Sequence, residues 1–197
     1  MEEFLIKIGG SLLNYPQDLK RLCKVLYTAF DKVKFCIIGG GGVFADSVRL
    51  LQKILNFSDD AAHWMAILAM DQYGILLSDL IPNSVTIDDP SNVKYTILKG
   101  KIPIILPYRY LHSKDPLPHS WDVTSDSIAV FFAGLLNIKK VLLIKDVDGL
   151  FEKDPKTSKD ARLLKGITSE YLLKLHESCV DKFLPVLMRR YGVKCYI

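Results

Sequence analysis

The sequence has no long hydrophobic run and no cysteine motif. Its longest apolar stretches, such as residues 129–136, are well below the roughly 20 residues of a membrane-spanning helix, so we expect no membrane association. The acidic start with its short apolar stretch does not resemble a signal peptide, and a cytoplasmic protein is expected. No cysteine lies in a CxxC pair, which predicts free thiols in a reducing compartment. The four cysteines are Cys23, Cys36, Cys179 and Cys195.

Neither sign of charge dominates. The 26 lysines and arginines exceed the 22 aspartates and glutamates by four, and the basic residues are dispersed along the chain. We therefore expect no nucleic-acid partner, although a modest positive field suits an anionic small substrate. With 49% hydrophobic and 24% charged residues among 197, the composition is that of an ordinary globular protein. A single domain over residues 1–197 is predicted.

Short apolar runs alternate with helical patterns along the whole chain. Strands are predicted at residues 4–8, 35–38, 84–87, 102–106, 141–144 and 193–197. Helices are predicted at residues 16–33, 43–55, 59–80 and 126–136, from residue 168, and at 181–191. This alternation predicts an α/β protein, a three-layer αβα sandwich whose mainly parallel sheet is covered on both faces.

Two segments of the pattern are less regular. Pro103 interrupts the fourth predicted strand, so we expect it at a sheet edge or at the first position of its strand. Residues 107–120 are rich in proline, histidine and charge, and we interpret them as a long loop of the kind that often carries function.

Glycines follow the first two predicted strands. In KIGGS, Lys7 lies near the strand end, and the turn at Gly9 and Gly10 lets backbone amides approach an anion. The Lys7 ammonium could reach phosphate oxygens. The spacing is not that of a Walker A loop, and a tight turn with a surface lysine is the alternative. Four glycines at residues 39–42 favour an anion cradle at a helix N-terminus over a sterically required turn.

Aspartates mark two later segments. In WDVTSDS, residues 121–127, Asp126 could complement a helix dipole or hold nearby lysines by charge-assisted hydrogen bonds. KDVDGLFEKDP, residues 145–155, directly follows a buried strand and contains turn signals, but not the spacing of an EF-hand calcium loop. A solvated turn is the simple alternative. Ligands collect at the carboxyl ends of parallel strands, so both segments are candidate binding elements.

Taken in order, KIGGS, IIGGGG, TSDSIA and KDVDGLF…DP resemble the motifs of the amino-acid kinase superfamily over nearly the whole chain. The resemblance implies a carbamate kinase-like fold and an ATP-dependent phosphotransferase that uses Mg²⁺. It also implies a homodimer or a larger homo-oligomer. No protein ligand for a metal is predicted.

The resemblance gives each matched position a role. Lys7 would contact the transferring phosphoryl group, Asp126 would orient the catalytic lysines, and Lys182 would stabilise charge on the leaving ADP. The implied ATP-binding residues are Lys7, Gly9, Gly10, Lys145, Asp146, Gly149, Phe151, Asp154 and Pro155. The implied acceptor-binding residues are Gly40, Gly41, Gly42, Trp121, Thr124 and Ser125. The chain departs from the family pattern at Lys145, where threonine is common, and around Lys182, where a glycine-rich segment is usual.

Residues 62–66, 119–129 and 180–185 resemble the branch of the family that serves archaeal methanofuran biosynthesis. That branch implies a small phosphate as acceptor, [5-(aminomethyl)furan-3-yl]methyl phosphate, which would be converted to its diphosphate. Aromatic side chains could then line a furan ring. The candidates are Trp121, Trp64 and His63, although the last two could equally form a helix core and its rim.

Three alternatives stay open. A kinase of the same fold could act on UMP, isopentenyl phosphate or acetylglutamate. A non-catalytic nucleotide-binding sensor could share the fold. A Rossmann dehydrogenase would need an acidic residue about 20 positions after its glycines, and Asp59 and Asp60, which lie near that offset, belong to a helix start instead.

Overall fold

A six-stranded sheet runs through the part of the chain that the computed structural model describes, residues 3–152, 158, 160–175 and 179–197. The strands are β1 (Glu3–Ile8), β2 (Lys34–Gly39), β3 (Ser84–Ile87), β4 (Ile102–Ile105), β5 (Lys140–Ile144) and β6 (Lys194–Tyr196). Their order is β3-β4-β2-β1-β5-β6, and every neighbouring pair is parallel. The predicted parallel α/β sheet is therefore confirmed.

Helices cover both faces of this sheet. They are α1 (Pro16–Ala29), α2 (Gly42–Leu55), α3 (Asp59–Leu80), α4 (Asn92–Leu98), α5 (Pro107–Lys114), α6 (Ser125–Leu135), α7 (Ser169–Leu172) and α8 (Leu184–Tyr191). Successive strand residues point to opposite faces. Accordingly Leu5 belongs to a core cluster with α6 and α8, whereas Ile6 and Ile8 belong to a second cluster with α1. The result is the predicted three-layer sandwich. The sequence pattern did not predict α4.

Pro103 occupies an interior strand, so its predicted place at an edge or at a first position is wrong. The Ile102 N–H donates to Asn83 O at 3.0 Å, on the β3 side of β4. The nitrogen of Pro103 therefore faces β2. Pairing with β2 begins only at Ile104, opposite Ile37. The missing N–H consequently costs no hydrogen bond of the ladder.

The loop predicted at residues 107–120 is wrong over its first half, which forms α5. Pro107 occupies the first turn of this helix, where its missing N–H costs nothing. The helix ends at Asp115, whose φ is 45° and whose N–H donates to Leu111 O at 2.7 Å. Leu111 is buried in the core. One buried leucine among polar neighbours is too weak a pattern to reveal a short helix.

Two further predictions concern the state of the cysteines and membrane-spanning helices. All four cysteines are free, as predicted. Within the described ranges, no helix combines the length and hydrophobicity that crossing a bilayer requires.

Candidate active site

The carboxyl ends of β2, β1 and β5 lie side by side at the same end of the sheet, because the three strands are adjacent and parallel. The Gly9 N–H donates to Ile144 O at 2.8 Å, and the Gly40 N–H donates to Ile8 O at 2.9 Å. Each glycine turn is thus bonded to the neighbouring strand end, and Lys145 leaves β5 beside them. Motifs far apart in the sequence come together here.

The two glycine turns also contact each other. A Cβ atom on Gly10 would lie 2.1 Å from the backbone nitrogen of Gly42, and Gly42 has a φ of +53°. A Cβ on Gly40 would lie 2.9 Å from the nitrogen of Gly10. Glycine is therefore required sterically, which was one explanation of the four-glycine run. Anion binding by these turns stays a prediction.

A cleft of about 1220 Å³ opens above these turns. Its lining includes residues of helices α2 and α3, residues 145–151, the end of α7, and residues 120–124 and 179–182, which are bonded to each other. The predicted site residues that line it are Lys7, Gly9, Gly10, Gly41, Gly42, Trp121, Thr124, Ser125, Asp126, Lys145, Asp146, Gly149, Phe151 and Lys182. A single drug-sized ligand fills about 300–1000 Å³, so the cleft has room for a nucleotide and a small acceptor.

Among the predicted site residues that the structure describes, Gly40 does not line this cleft. Gly40 lies beneath the turn at Gly10, where it supports the neighbouring strand end. Asp154 and Pro155 lie outside the residues that the structure describes.

Asp126 lies between two lysines at the floor of the cleft. The Lys145 ammonium donates to Asp126 Oδ2 at 2.7 Å. The Lys7 ammonium lies 2.8 Å from Oδ1, in an ion pair that lacks hydrogen-bond geometry. The side chains of Lys7, Asp126 and Lys145 are only 5%, 4% and 11% exposed. Two ammonium groups around one carboxylate leave this trio with an excess positive charge, which attracts an anion in a poorly hydrated setting.

Burial and charge act in opposite directions on these groups. Burial lowers the pKa of Lys7, and the like charge of Lys145 lowers it further, while Asp126 and Asp181 oppose the change. Burial alone would raise the pKa of Asp126, but attraction to the two lysines outweighs it and holds that pKa below its ordinary value. Asp126 is therefore kept as a carboxylate, which suits a residue that orients lysines rather than one that takes up a proton.

Lys182 does not reach Asp126. Its side chain is 81% exposed, and its ammonium lies 3.5 Å from Asp122 Oδ1 at the rim of the cleft. The second lysine at Asp126 is instead Lys145, which the sequence predicted as a nucleotide contact. The short segment before α8 faces solvent at Lys182, whereas Lys145 directly follows β5, which pairs with the strand that carries Lys7.

The predicted nucleotide segment is attached to the first glycine turn. The Ser11 hydroxyl donates to Asp146 Oδ1 at 2.8 Å. Farther along, Gly149 has a φ of 145°, and Phe151 forms an isolated antiparallel bridge with Leu163. Residues 145–151 therefore fold back along one side of the cleft.

Trp121 lines the cleft and is held against α2. Its indole N–H donates to Gln52 Oε1 at 2.7 Å, and the Arg49 guanidinium lies 4.3 Å from its ring centre. Arg49 lines the cleft. The sequence prediction missed Arg49 and Gln52, because nothing in a helical pattern shows which polar residues will meet a distant loop.

The other two aromatic candidates, His63 and Trp64, differ in whether they line the cleft. His63 lines the cleft, as predicted, whereas Trp64 does not. The Trp64 ring packs instead edge-on against His63, His112 and His119. This packing favours the alternative of a helix core for Trp64, and its contact with an acceptor stays a prediction.

Asp181 is a second residue that sequence reasoning missed. Thr124 precedes α6 as its N-cap residue, but its side chain makes no capping bond. The Thr124 hydroxyl donates instead to Asp181 Oδ2 at 2.8 Å. The only sequence signal was an aspartate three residues before Leu184, where its carboxylate accepts the N–H of the first residue of α8. This capping position also explains why α8 begins at Leu184 and not at the predicted residue 181.

The part of the cleft that the structure describes offers no protein cage for a metal. Among the residues that the structure describes, no group of three histidines, cysteines, aspartates or glutamates is placed to bind one ion.

Known proteins resemble this chain over almost its full length. The model of the amino acid kinase family matches residues 2–188. The chain is 36% identical to [5-(aminomethyl)furan-3-yl]methyl phosphate kinase of Methanocaldococcus jannaschii, over 98% of this chain and 86% of that protein. It is 25% identical to a uridylate kinase of Methanococcus aeolicus, over 88% of this chain and 76% of that one.

Solved structures show the same fold. The crystal structure of uridylate kinase from Archaeoglobus fulgidus matches with a TM-score of 0.77 at 17% identity, covering 100% of this chain and 89% of that one. An aspartate kinase from Synechocystis matches with a TM-score of 0.73 at 16% identity, over 98% of this chain and 37% of that one. The chain is therefore a phosphotransferase that belongs to the amino acid kinase family.

Proposed function

We propose that this chain transfers the γ-phosphoryl group of ATP to [5-(aminomethyl)furan-3-yl]methyl phosphate, forming ADP and the diphosphate. The observation that carries the reaction type is the enclosed group of Lys7, Asp126 and Lys145 on the floor of the cleft. The acceptor is supported by the identity to the Methanocaldococcus jannaschii enzyme of that name. Because the reaction consumes ATP, we place the enzyme in the cytoplasm, and its relatives from Methanocaldococcus jannaschii and Methanococcus aeolicus favour an archaeal cell.

The acceptor needs no general base. A phosphate monoester has a second pKa near 6, so its terminal oxygen is already ionised at neutral pH. That oxygen attacks the γ-phosphorus, the bond to the bridging oxygen of ADP breaks, and ADP leaves with the bonding electrons. Two anions must approach each other in this step. Lys7 and Lys145 reduce their repulsion, and Asp126 holds both ammonium groups in place before the substrates arrive.

The cleft has room for two substrates. Residues 145–151 continue from Lys145 and would hold the nucleotide, while α2, α3 and Trp121 would hold the acceptor. We place Mg²⁺ on the phosphates of ATP, since this ion commonly binds through substrate phosphates and waters and the described residues offer no cluster of three ligands. There it would neutralise phosphate charge.

An assay of ADP release with Mg·ATP separates the candidate functions. The acceptors would be the furan phosphate, UMP, isopentenyl phosphate and acetylglutamate. Turnover with the furan phosphate alone is expected. Turnover with another acceptor would retain the kinase and overturn the substrate. ATP binding without turnover on any of the four would contradict the reaction and favour a nucleotide-binding sensor.

Lys145→Met is expected to lower kcat by about 10²–10³-fold, the usual loss when one pre-oriented donor to a developing negative charge is removed. Lys182→Met is expected to cost less, because this lysine lies exposed at the rim. The exposed Lys24 of α1 gives a matched control as Lys24→Met. Steady-state kinetics of the three variants checks the order. A larger kcat loss in Lys182→Met than in Lys145→Met would return the second catalytic role to Lys182.

We propose further that the chain assembles into a homodimer or a larger homo-oligomer. Helices α2 and α3 leave large apolar side chains in solvent, and such surfaces mark interaction sites. They include Leu50, Ile54, Leu55, Leu68 and Ile75, which are 40–67% exposed. Light scattering at micromolar concentration is expected to give at least twice the 22.3 kDa chain mass. A single-chain mass would overturn this proposal.

A further inference from the structure

The Asp181 carboxylate accepts hydrogen bonds from the N-termini of two helices, α6 and α8, beside the cleft. Asp181 Oδ2 accepts the backbone N–H groups of Thr124 and Ser127 at 3.0 and 2.9 Å, and the Thr124 hydroxyl at 2.8 Å. Asp181 Oδ1 accepts the Leu184 N–H at 2.9 Å and the Ser127 hydroxyl. Both oxygens therefore act as acceptors for backbone donors, as an ionised carboxylate at a helix N-terminus does. Burial and the charge of Asp126 raise the pKa of Asp181, and the bonds from Ser127 and Thr124 oppose that change by favouring the carboxylate.

Asp181 binds Thr124, the N-cap residue of α6, and Ser127 in the first turn of that helix. Thr124 and Ser127 enclose Asp126 in the first turn of the helix. A backbone bond from the Phe183 N–H to Asp122 O, at 3.1 Å, joins the same two segments a second time. The position of Asp126 over the cleft floor therefore depends on the contact with Asp181.

Asp181 also completes the charge balance of the floor. Besides burial, the charges that act on the pKa of Lys7 are those of Asp126 from α6, Lys145 after β5 and Asp181 before α8. The two lysines share only one directly bound carboxylate. Asp181 supplies a second negative charge, and its attraction raises the pKa of Lys7 against the effect of burial.

We propose that Asp181 is a positioning residue of the phosphoryl-transfer site: it fixes Asp126 through the first turn of α6 and balances the charge of the two enclosed lysines. The inference rests on the proposed function for its kinetic consequence. Its electrostatic consequence concerns the protein alone and holds whichever acceptor is used.

Asp181→Asn removes the charge and keeps the shape. Without the attraction of Asp181, Lys7 loses its proton at lower pH, so the ammonium form that binds phosphate disappears earlier as pH rises. We expect the basic limb of the kcat/KM profile to move to lower pH and kcat to fall by about 10–100-fold, the scale of a misplaced catalytic group. Ser127→Ala is the matched control, since it removes one hydrogen bond between α6 and Asp181 and leaves the negative charge of Asp181 in place. The basic limb of the kcat/KM profile of Ser127→Ala should lie at the same pH as in the wild type.

A readout without substrates separates this inference from the proposed reaction. Competitive acetylation with acetic anhydride over a pH series, followed at Lys7 by mass spectrometry, reports the titration of this lysine directly. The Lys7 midpoint should lie at lower pH in Asp181→Asn than in the wild type and Ser127→Ala. Coincident midpoints would overturn the charge role. A shifted midpoint in a protein that turns over no acceptor would support the charge role while the proposed reaction fails.

A third variant covers the case in which Asp181→Asn does not fold. Asp181→Glu keeps the charge but moves the carboxylate by one methylene. It should leave the Lys7 midpoint unchanged and lower kcat. Wild-type kcat in Asp181→Glu would overturn the positioning role.

Discussion

Lys7→Met is expected to lower kcat by about 10²–10⁴-fold and to leave the protein folded. The magnitude is that of losing a pre-oriented positive group at a transferring phosphoryl group. The fold should survive for two reasons. Asp126 keeps its 2.7 Å bond to Lys145, so no carboxylate is left unpaired, and methionine fills a similar volume in an enclosed site without the desolvation cost of an ammonium.

Steady-state kinetics with Mg·ATP and the active acceptor measures this loss, and thermal unfolding followed by circular dichroism tests the fold. Lys24→Met on the exposed side of α1 makes the same chemical change away from the cleft and serves as the control. Near-normal turnover in Lys7→Met would refute the assignment of the first lysine. A large loss of unfolding temperature would show instead that Lys7 acts mainly in stability.

Asp126→Asn is expected to lower the free energy of unfolding by about 3–5 kcal/mol, because removing one partner of a buried ion pair leaves uncompensated charge in the interior. Here two ammonium groups lose their shared carboxylate. Urea denaturation measures the change. Asp18→Asn is a close control, since Asp18 also lies in the first turn of a helix and also pairs with a basic residue, but it is 62% exposed. A change below about 0.5 kcal/mol is expected there.

The effect of Asp126→Asn should depend on pH. The pKa of Asp126 is lowered in the folded protein. A depressed carboxyl pKa contributes stability above the unfolded value of about 3.9, and this contribution is lost as pH falls through the folded value. The difference between wild type and variant should therefore be full at pH 7 and shrink below about pH 4. Adding Lys145→Met to Asp126→Asn should recover part of the loss. Strictly additive losses would contradict the ion-pair explanation.

Much of this site could be predicted because parallel strands gather their carboxyl ends. Apolar runs that end in glycine identified β1 and β2 in the sequence. In a parallel sheet, the motif that begins at residue 145, directly after β5, lies at the same end of the sheet as the glycine turns after β1 and β2. The meeting of Lys7, Asp126 and the turn after β5 follows from that topology. The choice between Lys145 and Lys182 does not, since it depends on which lysine side chain reaches Asp126.

The contacts that escaped prediction join polar residues across long sequence separations. Asp181 binds Thr124 and Ser127, and Gln52 binds Trp121. An aspartate or glutamine in a polar segment has the same local signal whether it faces solvent or a distant backbone N–H. Only packing of the helices decides which of them is used.

The central place of β1 has a consequence for synthesis of the chain. β1 is the first strand to be made, yet its neighbour β5 ends only at Ile144. At ribosomal speeds of about 5–20 residues per second, one edge of β1 stays unpaired for roughly 7–27 s. During that time Lys145 is not yet present at the carboxyl end of β1, and the open strand edge can pair with other chains. The nascent protein is therefore most vulnerable to aggregation before β5 has left the ribosome.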